Sequence, residues 1–334
     1  MKRPSVREVA KLAGVGTSTV SRALNNHPSV SDYARRRVLT AAEELGYTPN
    51  LTARRLRTGQ THAISVLLPM TGPEFYTRLL DRLESVLERE SLDIALFPVV
   101  GGIRLKRYRD AGALPYHADG LIIASLDPDR IYQGRRPPYD RPIVLVDAHH
   151  PDFHSVYFEN AAAGRLAAEH ALSLGAPIAL VDVEETPGAF ESPAFRERRQ
   201  GIMHELQRHG IGLVDHIRLP ISIEEGRRAA QLLPEPGSGE SLTVIATCDE
   251  LALGVLRQLG ENGQSLGRDV SVIGFDDQSA AGPNELTTVA QPIEEMGAAA
   301  AELLVAALAG GLERIEQVAF PPRLVIRRST VGRA

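Results

Sequence analysis

Apolar positions near the N-terminus recur at helical spacing in three short bouts. Val9, Ala10, Leu12 and Ala13 give a first helix one apolar face, and Gly14 supplies its stop. Ser5 and Glu8 have capping-box spacing: the serine oxygen can accept from a first-turn N–H while Glu8 reaches back. After Val15, a second short helix from Thr17 to Leu24 turns Val20, Ala23 and Leu24 inward. Thr17, Ser18, Ser21 and Arg22 are left outward. A loop begins at Asn25. Ser31 then caps a third helix running to Leu45 and closed by Gly46. Its Val38, Ala41, Ala42 and Leu45 complete a small core, with Arg35, Arg36 and Arg37 on the exposed side. Tyr47-Thr48-Pro49 breaks it, and Asn50 can cap a very short helix, Leu51 to Arg57. A helix of that length does not hold alone in water, so it needs a partner.

From residue 62 the period changes. Apolar runs at 62–69, 92–100, 120–125, 143–148, 178–183, 242–247 and 270–277 predict strands covered on both faces of a parallel sheet. Helical patterns lie between them over 75–89, 161–174, 195–209, 224–233 and 251–261. Such alternation predicts a doubly wound α/β body, with enough strands for two lobes. The Gly/Pro/Ser stretch 234–241 reads as a surface loop, because no strand–GxxxxGK[ST]–helix context surrounds it.

Charge separates the two parts. Residues 1–61 carry 11 Lys/Arg and 4 Asp/Glu, a net of +7, and the rest carries −12, giving −5 for 334 residues. A basic head on an acidic body suits DNA binding by the head alone. The single Cys248 excludes an internal disulfide framework and a cysteine-based zinc site. The N-terminal residues have no apolar signal core and no run reaches transmembrane length, so a cytoplasmic, nucleoid-associated protein is expected. Asp147, His149, His150, Asp152 and His154 are of metal-ligating types, but their spacing reads as a solvated loop. No metal and no cofactor are expected.

The layout of the second helix suits a recognition helix: short polar side chains at its start can approach base edges, and Arg22 can bridge two guanine acceptors. Two helices alone would also fit a structural hairpin. The wording VREVAKLAGVGTSTVSRALN, followed by VSDYARRRVLTAAEELGYTPNLTARRLRTG, resembles the opening of the LacI/GalR family of bacterial transcription regulators. The resemblance implies a DNA-contacting set of Ser5, Thr17, Ser18, Ser21, Arg22, Asn25, Ser31, Asn50, Arg54, Arg55 and Leu56. It also makes the short helix a hinge that pairs with its dimer mate over the minor groove. Leu56 of the matching ARRL would wedge a central base step, with Arg54 and Arg55 near phosphates. Unstacking a step costs on the order of a few kcal/mol, offset by contacts that the bend allows.

Further along, DGLII, IVLVD, SVYFENAAAGRLAAEHALSLG, DELALGVL, VSVIGFDD, LTTVAQP and RLVIRRST are similar to the regulatory domain of the same family. The implied fold is periplasmic-binding-protein-like: two lobes joined by three crossovers, near Glu159–Ala161, Gln291–Pro292 and Arg323, with the ligand between them. The expected partition is 1–47 for the helix-turn-helix domain, 48–60 for the hinge, and 61–334 for the effector-binding and dimerisation domain. Within the last, the N-lobe takes about 61–160 and 292–322, and the C-lobe about 161–291 and 323–334.

Ligands in open α/β sheets sit beyond the carboxyl ends of the strands, which nominates Asp147, Cys248, Asp249 and Asp276 by geometry. By motif, Arg198, Asp147 and Asp276 match effector-contacting residues, Phe75 and Tyr76 an aromatic pair over the cleft, and Gln291 a crossover position. Asp249 could equally cap its helix, and Phe75 could staple its own. The chain departs from the family at Cys248, where many members carry Asn, and near Ile221, where sugar-binding relatives often carry a stacking aromatic. Gly16 replaces a usual Ser, and 99–116 is shorter than usual. The first two departures, at Cys248 and Ile221, leave the effector open within a sugar-like, polar class.

The expected activity is that of a dimeric repressor of a pseudo-palindromic DNA operator, switched by a small-molecule effector. The ending RRSTVGRA lacks the leucine-rich tail of the family's tetramers. Two alternatives stay open: a constitutive DNA binder that has lost its effector, and an enzyme with a DNA-binding head. Against the second, no GxSxG, HExxH or kinase signature occurs.

Overall fold

The computed structural model describes residues 4–24, 27–47, 60–69, 72–99, 102–110, 112–184, 192–234 and 240–331. The chain divides into two compact units, Met1–Thr61 and His62–Ala334.

In the first unit, α1 (Val6–Ala13), α2 (Thr17–Leu24) and α3 (Asp32–Leu45) enclose Val9, Ala13, Val20, Ala23, Val30, Val38 and Ala41. The capping box is complete: Glu8 N–H donates to Ser5 Oγ, and Ser5 N–H donates to Glu8 Oε2 at 2.6 Å. Ser31 accepts from the Ala34 N–H, and Gly14 and Gly46 end α1 and α3 at φ 61° and 60°. Two expectations fail. Leu12 is 49% exposed, because at about 100° per residue it steps off the stripe made by Val6, Val9, Ala10 and Ala13. Arg35 does not simply face outward. Its Nη2 donates to the carbonyls of His27 at 3.0 Å and Val30 at 3.4 Å, holding the loop before α3.

The second unit begins with β1 (Ala63–Leu68), α4 (Glu74–Leu87), β2 (Asp93–Pro98), α5 (Gly102–Arg107), β3 (Gly120–Ala124), α6 (Pro128–Tyr132), β4 (Ile143–Val146) and β5 (His154–Phe158). It continues through α7 (Asn160–Ser173), β6 (Ile178–Val183), α8 (Pro193–Arg208), β7 (Leu213–Leu219), α9 (Ile223–Leu232), β8 (Leu242–Ala246), α10 (Asp249–Glu261) and β9 (Val270–Asp276). Last come β10 (Thr287–Ala290), α11 (Ile293–Leu308), β11 (Gln317–Phe320) and β12 (Arg323–Val325). Two six-stranded sheets result, ordered β11-β5-β4-β3-β1-β2 and β12-β10-β9-β8-β6-β7. Pairing is parallel except between β10 and β12. The chain leaves the first sheet after β5, returns after β10 and leaves again after β11.

The central strands are those with continuous apolar runs: β3, β4, β6, β8 and β9 are buried throughout. Each buried Val, Leu or Ile there contributes about 1.5–3 kcal/mol. The apolar-run criterion misses β5, β7, β10, β11 and β12. β7 and β11 alternate in burial, β12 has only three residues, and Thr287 and Thr288 of β10 are buried through hydrogen bonds. The alanine-rich α11, apolar nearly all round, also lacks the amphipathic signal.

Glycines set how closely helices approach beside the cleft. Gly164 of α7 lies on the Arg198 carbonyl, and Gly201 of α8 on the Ala161 carbonyl, so a Cβ at either position would overlap backbone. Gly226 and Gly254 do the same for α9 and α10. This contact fixes α8 and with it the Arg198 side chain.

Candidate functional site

On α2, Thr17, Ser18 and Arg22 are exposed and Ser21 is half-buried, while Val20 and Ala23 are sealed in the core. The helix thus presents a short polar face from its N-terminal turn. Ser5 and Ser31 spend their hydroxyl oxygens on capping. Asn25, Asn50, Arg54, Arg55 and Leu56 lie outside the described residues, as does the short helix expected over 51–57.

In the body, all eight nominated residues line one cavity: Phe75, Tyr76, Asp147, Arg198, Ile221, Cys248, Asp276 and Gln291. They come from strand ends of both sheets, from α4 (Phe75 and Tyr76) and α8 (Arg198), and from the crossover after β10. Strand ends aim the two carboxylates. Ser125, Asp147 and Asp276, at the carboxyl ends of β3, β4 and β9, have φ of 50°, 55° and 103°. Side chains seldom tolerate this region and Asp does so better than most, so the backbone turns sharply where each strand stops. Non-glycine residues held this way concentrate at ligand sites.

The polar groups form one network centred on Arg198, which is 2% exposed. Its Nε donates to Asn160 Oδ1 at 2.8 Å and Nη1 to the Thr247 carbonyl at 2.9 Å. Its Nη2 donates to Asp276 Oδ1 at 2.7 Å and to Gln291 Oε1 at 2.8 Å. Gln291 passes the link to the other sheet, its Nε2 donating to Asp147 Oδ1 at 2.9 Å. Ser125 Oγ holds the second Asp147 oxygen at 2.6 Å. Burial works against the Arg198 charge, but Asp276 and Asp147 outweigh it and raise its pKa. Burial also pushes the Asp147 carboxyl up, against the hydrogen bond from Ser125 and the pull of Arg198.

Apolar walls complete the cavity. Phe75 and Tyr76 meet edge to face at 5.0 Å between centroids, and the Arg198 guanidinium lies 5.0 Å from the Phe275 ring centroid and 5.6 Å from that of Phe195. Two polar bridges tie the lobes near Phe75: Glu74 accepts from the Ser279 N–H and hydroxyl, and Arg78 Nη1 donates to the Asp277 carbonyl at 3.3 Å.

Asp249 neither caps a helix nor lines the cavity. Its carboxylate accepts from the Gln278 N–H at 2.8 Å and the Thr288 hydroxyl at 2.7 Å, in space that Gly274 leaves open. Glu250, Gln278, Ser192 and Phe195 also line the cavity and are not among the residues nominated from sequence. Glu250 follows Cys248 and Asp249 directly, so the strand-end rule extended by one helical turn would have found it. Ser125 and Asn160 carry no sequence signal for their support of Asp147 and Arg198. The loop histidines have separate partners. His149 packs on Tyr157, His150 Nδ1 accepts from the Asp152 N–H, and His154 Nδ1 accepts from the Glu316 N–H. Among the described residues no three or more His, Cys, Asp or Glu converge as metal ligands, and no helix is long and apolar enough to cross a membrane.

Comparison with known proteins meets this geometry from both ends of the chain. Residues 5–50 match the model of bacterial regulatory proteins of the lacI family, and residues 150–330 match a periplasmic binding protein-like domain. The chain belongs to the lacI family.

Among curated relatives of this lacI-family protein, the transcriptional repressor PurR of Erwinia tasmaniensis is 27% identical over 97% of this chain and 96% of its own. A solved probable transcription regulator from Thermus thermophilus is 38% identical, covering 80% of this chain and 97% of its own, with a TM-score of 0.67. A lacI-family regulator from Enterococcus faecium with bound ribose is 29% identical, covering 81% of this chain and all of its own, at 0.64. The protein is a DNA-binding transcriptional repressor of the family and not an enzyme.

Proposed function

We propose that this lacI-family repressor acts as a cytoplasmic homodimer on a pseudo-palindromic operator, and that a polar, carbohydrate-type effector between the lobes switches its affinity. In this reading Thr17, Ser18, Ser21 and Arg22 read bases, residues 48–60 form the hinge, and 61–334 bind effector and dimerise. The N-lobe comprises about 61–160 and 292–322, and the C-lobe the remainder. The observation that carries the reading is the cavity where Arg198, Asp276, Gln291 and Asp147 join the two sheets through one hydrogen-bond network. A ligand that bonds these groups changes how the lobes are held, and only such differential binding can shift an equilibrium. The ribose bound by the Enterococcus faecium relative supports the ligand class. The test is footprinting on the protein's own upstream region with and without a carbohydrate panel. A protected inverted repeat lost with one compound is the expected result, and protection indifferent to every compound argues against it.

One observation favours the constitutive binder instead. The cavity holds only about 30 Å³, space for about two water molecules, and its central polar groups satisfy one another. A thermal-shift screen over sugars, nucleosides and amino acids separates the two readings: a stabilising compound sinks the constitutive one.

A further inference from the structure

Charge in the cleft does not balance. Among the described residues that line it, Asp147, Asp276 and Glu250 stand against the one guanidinium of Arg198. That guanidinium is spent on Asp276, Gln291, Asn160 and the Thr247 carbonyl. Asp147 meets only a hydroxyl and an amide. Glu250, in the first turn of α10, has Oε1 buried with no hydrogen-bond partner, and Gln278, 5% exposed, has Nε2 in the same condition. A buried polar atom left unbonded costs about 1–3 kcal/mol, and more when it is charged. Unpaired donors and acceptors on a cavity wall therefore describe what the occupant must bring.

We propose that the effector carries a protonated amine, received by the Glu250 carboxylate, alongside hydroxyl groups that bond Gln278 and Asp147. The proposal rests on the reading of this cleft as the effector site and narrows the ligand to an ammonium-bearing polar metabolite. A neutral polyol fills hydrogen bonds but brings no positive charge to the Glu250 carboxylate, while Asp276 and Asp147 already share the Arg198 guanidinium. An ammonium group supplies that charge and up to three donors at once. Burial first and then Asp276 push the Glu250 carboxyl up, against the opposing pull of the neighbouring Gln278 and Cys248 side chains; a cation at this carboxylate would oppose that upward shift.

The test is calorimetric binding to the full chain at pH 7 of matched pairs, each a neutral hexose and its 2-amino-2-deoxy counterpart in the gluco, galacto and manno series. The expected result is that at least one amino sugar binds at least about tenfold more tightly than its neutral partner, and that Glu250→Gln abolishes the preference. Glu250→Gln keeps the shape of the wall, and its thermal unfolding checks that it is folded. Neutral partners that bind as tightly as the amines, or a preference that survives Glu250→Gln, overturn the amine while leaving the cleft as the effector site. Absence of binding in both series overturns the cleft reading and the proposal together.

Discussion

Arg198 and Asp276 lie 78 residues apart in the chain, yet their side chains meet at 2.7 Å with 3% and 8% of their surface exposed. Removing one partner strands a buried charge. Arg198→Met should therefore cost about 3–5 kcal/mol in urea unfolding, whereas Arg198→Met with Asp276→Leu should recover much of it. A single variant within 1 kcal/mol of the parent would mean that water reaches the pair.

Helix spacing beside Arg198 depends on a missing Cβ. Gly201→Ala would overlap the Ala161 carbonyl, and the forced shift should cost about 1–3 kcal/mol. Gly260→Ala, also helical but with open space around it, should stabilise by about 0.5–1 kcal/mol. Opposite signs in denaturant midpoints are the expected outcome; equal signs would reject the close-packing account.

Asp249 offers a pH test. Its carboxyl is pushed well above the ordinary range by burial first and by Asp276 second. A raised acid pKa means that the folded state holds a proton the unfolded chain has released. Its contribution is then fully present below the unfolded pKa, about 4, and is lost as pH rises through the folded value. Asp249→Asn should flatten the decline of thermal stability above pH 4 relative to the parent protein. Parallel stability curves for the two would show that Asp249 titrates normally.

On the recognition helix, Arg22 is exposed and free of the core that Val20 and Ala23 anchor. Arg22→Ala should weaken operator binding by about 1–3 kcal/mol and relax preference at one base pair. Equal loss on every sequence, seen in competition binding, would assign Arg22 to phosphate instead.

Local features were legible from residue spacing alone. Ser5 with Glu8, and Gly14 and Gly46 past their helices, act within a few residues, so spacing suffices to read them. The buried strands of both sheets are equally legible, because a strand covered on two faces must be apolar at every position. Strand-end position and motif together nominated Asp147, Arg198, Asp276 and Gln291. Which groups bond emerges from the folded chain: Gln291 bridges Arg198 to Asp147, Asn160 and Ser125 support them, and Asp249 turns away to Thr288. The tertiary structure also decided that Arg35 secures a loop and that Glu250 and Gln278 line the cavity. Those outcomes depend on where distant backbone segments stop and how closely helices pack. Such geometry comes from the summed packing of the whole core, and no single stretch of sequence carries it.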